Sequence, residues 1–166
     1  MAANPIQSLM RFCAFRERAE FEVHQKAIKL GMLPADIKTA IHALKEEGFL
    51  NQERFLKAYI HDKREFQGWG PFKIMAQLRK FRIPASDITN AIETIPPETW
   101  ENVVARLIQQ KTKKTPDSWS YEEKAKLFKW LYSRGFTRDH LGAAFTHLQE
   151  VSEESEPINW DLESED

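Results

Sequence analysis

VHQKAIKLGMLPADIKTAIHAL, residues 23–44, decides the fold once it is slid along the rest of the chain. Its apolar positions Val23, Ala27, Ile37, Ala40, Ile41 and Leu44 recur 51 residues later as Ile74, Leu78, Ile88, Ala91, Ile92 and Ile95. They recur again, 53 residues further on, as Leu127, Leu131, Leu141, Ala144, Phe145 and Leu148. Within each copy the second group follows i, i+3, i+4, i+7, the stripe of an amphipathic helix. A self-match at a fixed period of this size marks stacked helical units, each too small to bury its own apolar face.

Helix breakers fall between the two groups. Gly31 and Gly135 stand at matching positions suited to a left-handed C′ cap, and Pro34, Pro84 and Thr137 open the helices that follow. In the middle copy Arg82 replaces the glycine. A third helix completes the first two units. It is carried by Phe55, Leu56, Tyr59 and Ile60 after the N-cap residue Asn51, and by Trp100, Val103, Val104, Leu107 and Ile108 after Pro97. No run alternates apolar and polar residues as a half-buried strand would. The expected fold is therefore all-α: tandem three-helix modules in an elongated array, three repeats with the last incomplete. The expected division is 1–66 (an N-terminal helix plus the first repeat), 67–115 (the second repeat), 116–151 (two helices of the third) and 152–166 (a flexible acidic tail). The connections at Gln67–Gly70 and Lys111–Ser120 are expected to let units pivot. Ala19, where a side-chain cap is wanted, should weaken the start of its helix by roughly 1 kcal/mol.

Composition excludes several function classes. No window approaches the roughly 18 apolar residues of a membrane span, and Arg11 interrupts the first apolar stretch, so a cytoplasmic protein is expected. The single cysteine, Cys13, can form no internal disulfide and reads as helix packing. His24, His42, His61, His140 and His147 have no metal-ligand spacing, and Gly68, Trp69 and Gly70 are followed by no G-K-[ST], so neither metal nor nucleotide is expected. With no paired nucleophile and base and no carboxylate couple, the chain reads as a binding protein, with no enzyme activity, no cofactor and a monomeric state expected.

The net charge of −1 conceals a strong asymmetry. All 24 Lys and Arg precede Glu150, while eight of the 25 Asp and Glu lie from there on, giving a body of +7 and a tail of −8. Basic residues recur in each unit: Lys57, Lys63 and Arg64; Lys73, Arg79, Lys80 and Arg82; Lys111, Lys113 and Lys114; Lys126, Lys129, Arg134 and Arg138. Similar patches on repeated modules suit a periodic partner, because weak contacts joined on one chain multiply. Solvated helix faces would give the same pattern. Arg54 lies in the first turn of its helix, where the dipole opposes a cation, so it should answer an acidic or carbonyl partner. The tail sets Ile158, Trp160 and Leu162 among acids, and the charge asymmetry lets it compete for the basic face.

Two strings are distinctive: Gly48, Phe49, Leu50, Asn51, Gln52, Glu53, Arg54, Phe55, and then Gly68, Trp69, Gly70, Pro71, Phe72, Lys73, Ile74. With Leu131, Arg134, Gly135 and Phe136 further on, they resemble the bacterial RecX regulatory family in order and spacing, over roughly residues 10–149. The resemblance implies tandem three-helix modules that bind RecA, lodge in the groove of the RecA filament on single-stranded DNA and limit recombinase activity. The residues assigned to that contact are Arg54, Lys57, Lys63, Arg64, Trp69, Lys73, Arg79, Lys80, Arg82, Lys126, Lys129 and Arg134, with a weak contact to single-stranded DNA. The chain departs from the family pattern at Asn51 and Gln52, where two aspartates are usual, at Gln67 for lysine, and at Phe81 and Arg82 for lysine and glycine. The competing reading is a direct nucleic-acid binder, since three-helix units with an exposed basic helix resemble helix-turn-helix modules in outline.

Overall fold

A computed structural model describes residues 4–114 and 118–141. The third copy's Ala144, Phe145 and Leu148 and the acidic tail lie outside the described residues. Eight α-helices are described: α1 (Pro5–Phe15), α2 (Glu20–Lys29), α3 (Pro34–Glu46), α4 (Gln52–Glu65), α5 (Pro71–Arg79), α6 (Ala85–Glu93), α7 (Pro97–Lys111) and α8 (Tyr121–Ser133), with a 3₁₀ turn at Arg138–His140. No strand occurs among the described residues.

Helix ends obey the local chemistry. Proline occupies the first turn of α1, α3, α5 and α7, where its missing N–H leaves no bond unmade. The Asn51 side chain accepts the Arg54 N–H at 2.8 Å and so caps α4. At the position where the three copies need a left-handed residue, Gly31 has φ +76° and Gly135 φ +93°, and Arg82 is forced to φ +58°. Arg82 thus keeps the turn at the cost of backbone strain, and its guanidinium carbon lies 4.8 Å from the centre of the Phe21 ring on α2. The start of α2 keeps half a cap, since the Glu22 carboxylate accepts the Ala19 N–H at 2.9 Å. Ala19 is itself only 2% exposed, packed in the core of the next unit, so a small apolar side chain suits the position.

The apolar interior has two parts. One gathers Leu9, Cys13, Val23, Ala27, Ile37, Ala40, Ile41, Leu44 and Leu50, where α1 packs on α2 and α2 on α3. The other begins with Phe55, Leu56 and Ile60 of α4 and runs through α5–α8 to Phe136 and Leu141. The expected unit boundary at residue 66 lies at the α4–α5 connection, inside this second core; the division between cores falls earlier, between Leu50 and Phe55. A three-helix period fits a self-match in any of three phases, and only side-chain direction chooses among them. The apolar stripe of α4 faces α6, not α2.

The α4–α5 connection does not form the expected pivot. The Trp69 N–H donates to Lys63 O at 3.0 Å, the Gly70 N–H to Arg134 O at 2.6 Å, and the Phe72 N–H to Gly135 O at 3.2 Å. The Arg134 side chain donates to Gln67 O at 2.8 Å. A Cβ placed on Gly70 would stand 2.4 Å from the Gly135 carbonyl, so the two backbones touch directly and the pair of glycines makes the approach possible.

Candidate partner interface

That fastening presents Trp69 at the surface, half-buried, with its backbone fixed on both sides. Lys63, in the last turn of α4, places Nζ 4.7 Å from the centre of the Trp69 ring and 5.3 Å from that of Tyr59. Lys73, in the first turn of α5, places Nζ 5.1 Å from Trp69. Neither ammonium has a carboxylate partner among the described residues; Lys63 donates only to the Gln67 side chain, at 3.2 Å. Two cations on one indole are drawn by the ring's quadrupole and repel each other, which leaves a site of unmet positive charge beside an aromatic plane.

A second such ring lies on α8. Lys111 Nζ is 5.0 Å and Arg134 Cζ 4.8 Å from the centre of Trp130. Arg134 joins the two rings, since the guanidinium that covers Trp130 also holds the carbonyls of Gln67 and Gly68, next to Trp69. Its Nε is buried without a partner, so the side chain is tightly enclosed and acts on the shape of the loop more than as a free charge. Lys111 and Trp130 were not among the residues assigned from sequence. The signal that finds Lys111 is the 48-residue offset that aligns Phe55, Leu56, Tyr59 and Ile60 with Val103, Val104, Leu107 and Ile108, because the same offset carries Lys63 onto Lys111; Trp130 has no counterpart at that offset.

The other assigned residues divide by what holds them. Arg54 has both kinds of partner its position calls for: Nε donates to Glu17 at 2.8 Å and Nη2 to Gly48 O at 2.7 Å. Lys57 pairs with Glu53 and Lys126 with Glu122, each one helical turn away. In both pairs the lysine holds its glutamate below the usual carboxylate range. Arg64 pairs with Glu65 at 2.7 Å, and Arg106 binds the same carboxylate at 2.8 Å, so hydrogen bonds from Arg106 and then Arg64 push the Glu65 pKa down. Arg79 makes contacts of its own. Arg82 is spent on Phe21. Lys80 and Lys129 project from the C-terminal cap of α5 and the face of α8, both exposed. The structure therefore brings Lys63, Trp69, Lys73 and Arg134 together and leaves the rest distributed.

On the opposite flank of α4 a groove of about 550 Å³ runs between α4 and α6, floored by Leu56, Ile60, Ala91 and Ile95. Its rim carries Glu53 and Asp87 as well as Lys57 and Arg64, so the charges there nearly cancel. No group of three or more His, Cys, Asp or Glu that could hold a metal ion occurs among the described residues. No helix of the described residues is long and apolar enough to cross a membrane.

Comparison with known proteins agrees with this architecture. The family profile described as RecX, second three-helix domain, matches residues 51–92, the stretch from the Asn51 cap through most of α6. The regulatory protein RecX of Legionella pneumophila strain Corby is 29% identical over 142 residues, 86% of this chain and 93% of that one. The regulatory protein RecX of Vibrio parahaemolyticus is 26% identical over 144 residues, 87% of this chain and 91% of that one. The crystal structure of RecX from Lactobacillus salivarius superimposes with a TM-score of 0.71 at 18% identity, over 90% of this chain and 97% of that chain. The chain is similar to RecX proteins over most of its length. The matched domain corresponds to α4–α6, and Trp69 lies within it, in the connection between α4 and α5. The matched relatives carry the name of regulatory proteins, and that name says nothing of catalysis.

Proposed function

We propose that this chain regulates homologous recombination and DNA repair by binding the RecA filament on single-stranded DNA and restraining its recombinase and ATPase activity. The observation that carries the reading is the Trp69 surface: a ring held by a fastened loop, bracketed by Lys63 and Lys73 with no carboxylate to answer them among the described residues. Such a surface suits a polyanion with exposed bases or an acidic protein face, and a filament on single-stranded DNA offers both. The protein acts in the cytoplasm as a monomer, makes no bond-forming step and needs no cofactor. Its units are α1–α3, α4–α6, and α7 with α8 onward, a phase that follows the division of the core.

The competing reading, a helix-turn-helix binder of naked DNA, calls for cations on the second helix of the helix-turn-helix pair, which in the α4–α6 unit is α6. Helix α6 is ASDITNAIE, with Asp87 and Glu93 and no Lys or Arg. A weak contact with single-stranded DNA is retained as part of filament binding.

The test is the single-stranded-DNA-dependent ATPase rate of RecA with this protein titrated in, beside the variant Lys63→Glu/Lys73→Glu. Inhibition by the native chain and its loss in the variant supports the reading. Tight binding of a naked oligonucleotide with no effect on the ATPase would replace it with the direct-binder alternative.

A further inference from the structure

We infer that the chain's own acidic segment, residues 152–166, docks on the Trp69 surface and there takes the place of a single-stranded polyanion. The inference deepens the proposed function, because it concerns what occupies the same surface when no filament is bound. Three observations converge on it.

Charge comes first. Lys63 and Lys73 set two ammonium groups against one ring, neither with a carboxylate partner among the described residues. The segment SEESEPINWDLESED carries seven acids and no Lys or Arg. Proximity follows. The described chain ends at Leu141, and the ring of His140 lies 6.0 Å from that of Phe72, the residue before Lys73. The 11 residues from Gly142 to Ser152 span about 16 Å even if wholly helical, and more if extended, so the acidic segment can reach a surface that starts beside the chain's exit. The third observation is chemical likeness. Trp160 stands among Glu156, Asp161 and Glu163, so the segment sets a flat π-face beside closely placed negative charge. Those are the two features by which a stacking platform with basic flanks holds a single strand.

The α4–α6 groove is the rival berth, since Ile158, Trp160 and Leu162 would suit its apolar floor. Its rim repels as much as it attracts. Lys57 is already held by Glu53 and Arg64 by Glu65, so a segment with seven negative charges gains little there.

The experiment uses the full chain with 5-fluorotryptophan in place of tryptophan, read by fluorine resonance, the Trp69 signal being identified with Trp69→Phe. The native chain is compared with one whose seven acids are neutralised: Glu153, Glu154, Glu156, Glu163 and Glu165 to Gln, and Asp161 and Asp166 to Asn. At low salt the Trp69 signal should differ between the two, and the difference should vanish at about 1 M NaCl, where the Debye length is about 3 Å. It should vanish too when both carry Lys63→Glu/Lys73→Glu. Alongside it, the neutralised chain should bind a single-stranded oligothymidylate about tenfold more tightly than the native chain, with the gain absent in the Lys63→Glu/Lys73→Glu background. An identical Trp69 signal in both chains at low salt overturns the inference. RecA inhibition plays no part in the fluorine reading, so a failed ATPase test with the fluorine shift intact would sink the proposed function alone.

Discussion

Where α1–α3 meets α4–α6, the contact is made by side chains. Arg54 reaches Glu17 and Gly48 O, Arg82 lies over Phe21, and a cavity of about 400 Å³ remains beside Phe81 and His24. Where α4–α6 meets α7–α8, a shared apolar core is reinforced by backbone-on-backbone contact: Gly70 and Gly135 abut, and two main-chain hydrogen bonds cross beside them. Long side chains tolerate a small shift by changing rotamer, whereas main chain packed against main chain does not. The first junction can therefore yield, and the second fixes the loop that carries Trp69.

The sharpest way to break that contrast is to add one methyl group at two matching repeat positions, Gly135 at the second junction and Gly31 inside α1–α3. In Gly135→Ala the new Cβ would stand 2.4 Å from Lys73 N and 2.6 Å from Lys73 Cβ, on a residue already at φ +93°. The expected loss is roughly 3 kcal/mol or more, seen as a lower midpoint in urea unfolding followed by tryptophan fluorescence. Gly31→Ala at the equivalent position meets nothing within 4 Å, so only the left-handed strain of about 1 kcal/mol remains. Equal losses in the two variants would mean that the Gly70–Gly135 approach relaxes freely and that the second junction is not rigid. Gly70→Ala, with an ordinary φ of −81°, isolates the clash from the strain and should fall near the Gly135 variant.

Arg54→Ala tests the first junction at its most polar point. The pair with Glu17 is partly exposed, at 48% and 30% for the two side chains, and so contributes little by itself; the bond to Gly48 O adds a modest term. A destabilisation of about 1 kcal/mol is expected in the same unfolding measurement, and the proposed restraint of the RecA ATPase should be unchanged once the protein is folded. Inhibition lost without loss of stability would return Arg54 to the partner surface.

The repeat, the helix class and the breaker positions were legible in the residues because periodicity and cap chemistry are local. Gly31, Arg82 and Gly135 all adopt positive φ, as matching positions in three copies should. The phase of the units was not legible, since α4 has one apolar stripe whichever neighbour it faces. The rigidity of Gln67–Gly70 was hidden for a similar reason. Glycine allows both a free hinge and a close approach, and only Gly135, far along the chain, decides between them. Of the assigned surface residues, Trp69, Lys63 and Lys73 gather as neighbours through a turn, while Arg54, Arg64 and Arg82 are held by Glu17, Glu65 and Phe21 from elsewhere in the fold or beside them. Positive charge in a sequence does not reveal which cations the fold has already used.

The smallest effect is expected at Arg82, and it is the most informative about the yielding junction. Arg82→Gly removes the cost of holding a side chain at φ +58°, about 1 kcal/mol. It also removes the guanidinium from Phe21, a loss of about 0.5–1 kcal/mol at an exposed site. A glycine loosens the unfolded chain as well, which offsets part of the relief. The terms nearly cancel, so urea unfolding should place the variant within about 0.5 kcal/mol of the native chain. Amide exchange would then separate them: with the clasp gone, the first turns of α2 should open more often while α5 and α6 stay protected. Unchanged exchange in α2 would show that Arg82 strains its own backbone without tying the two units together.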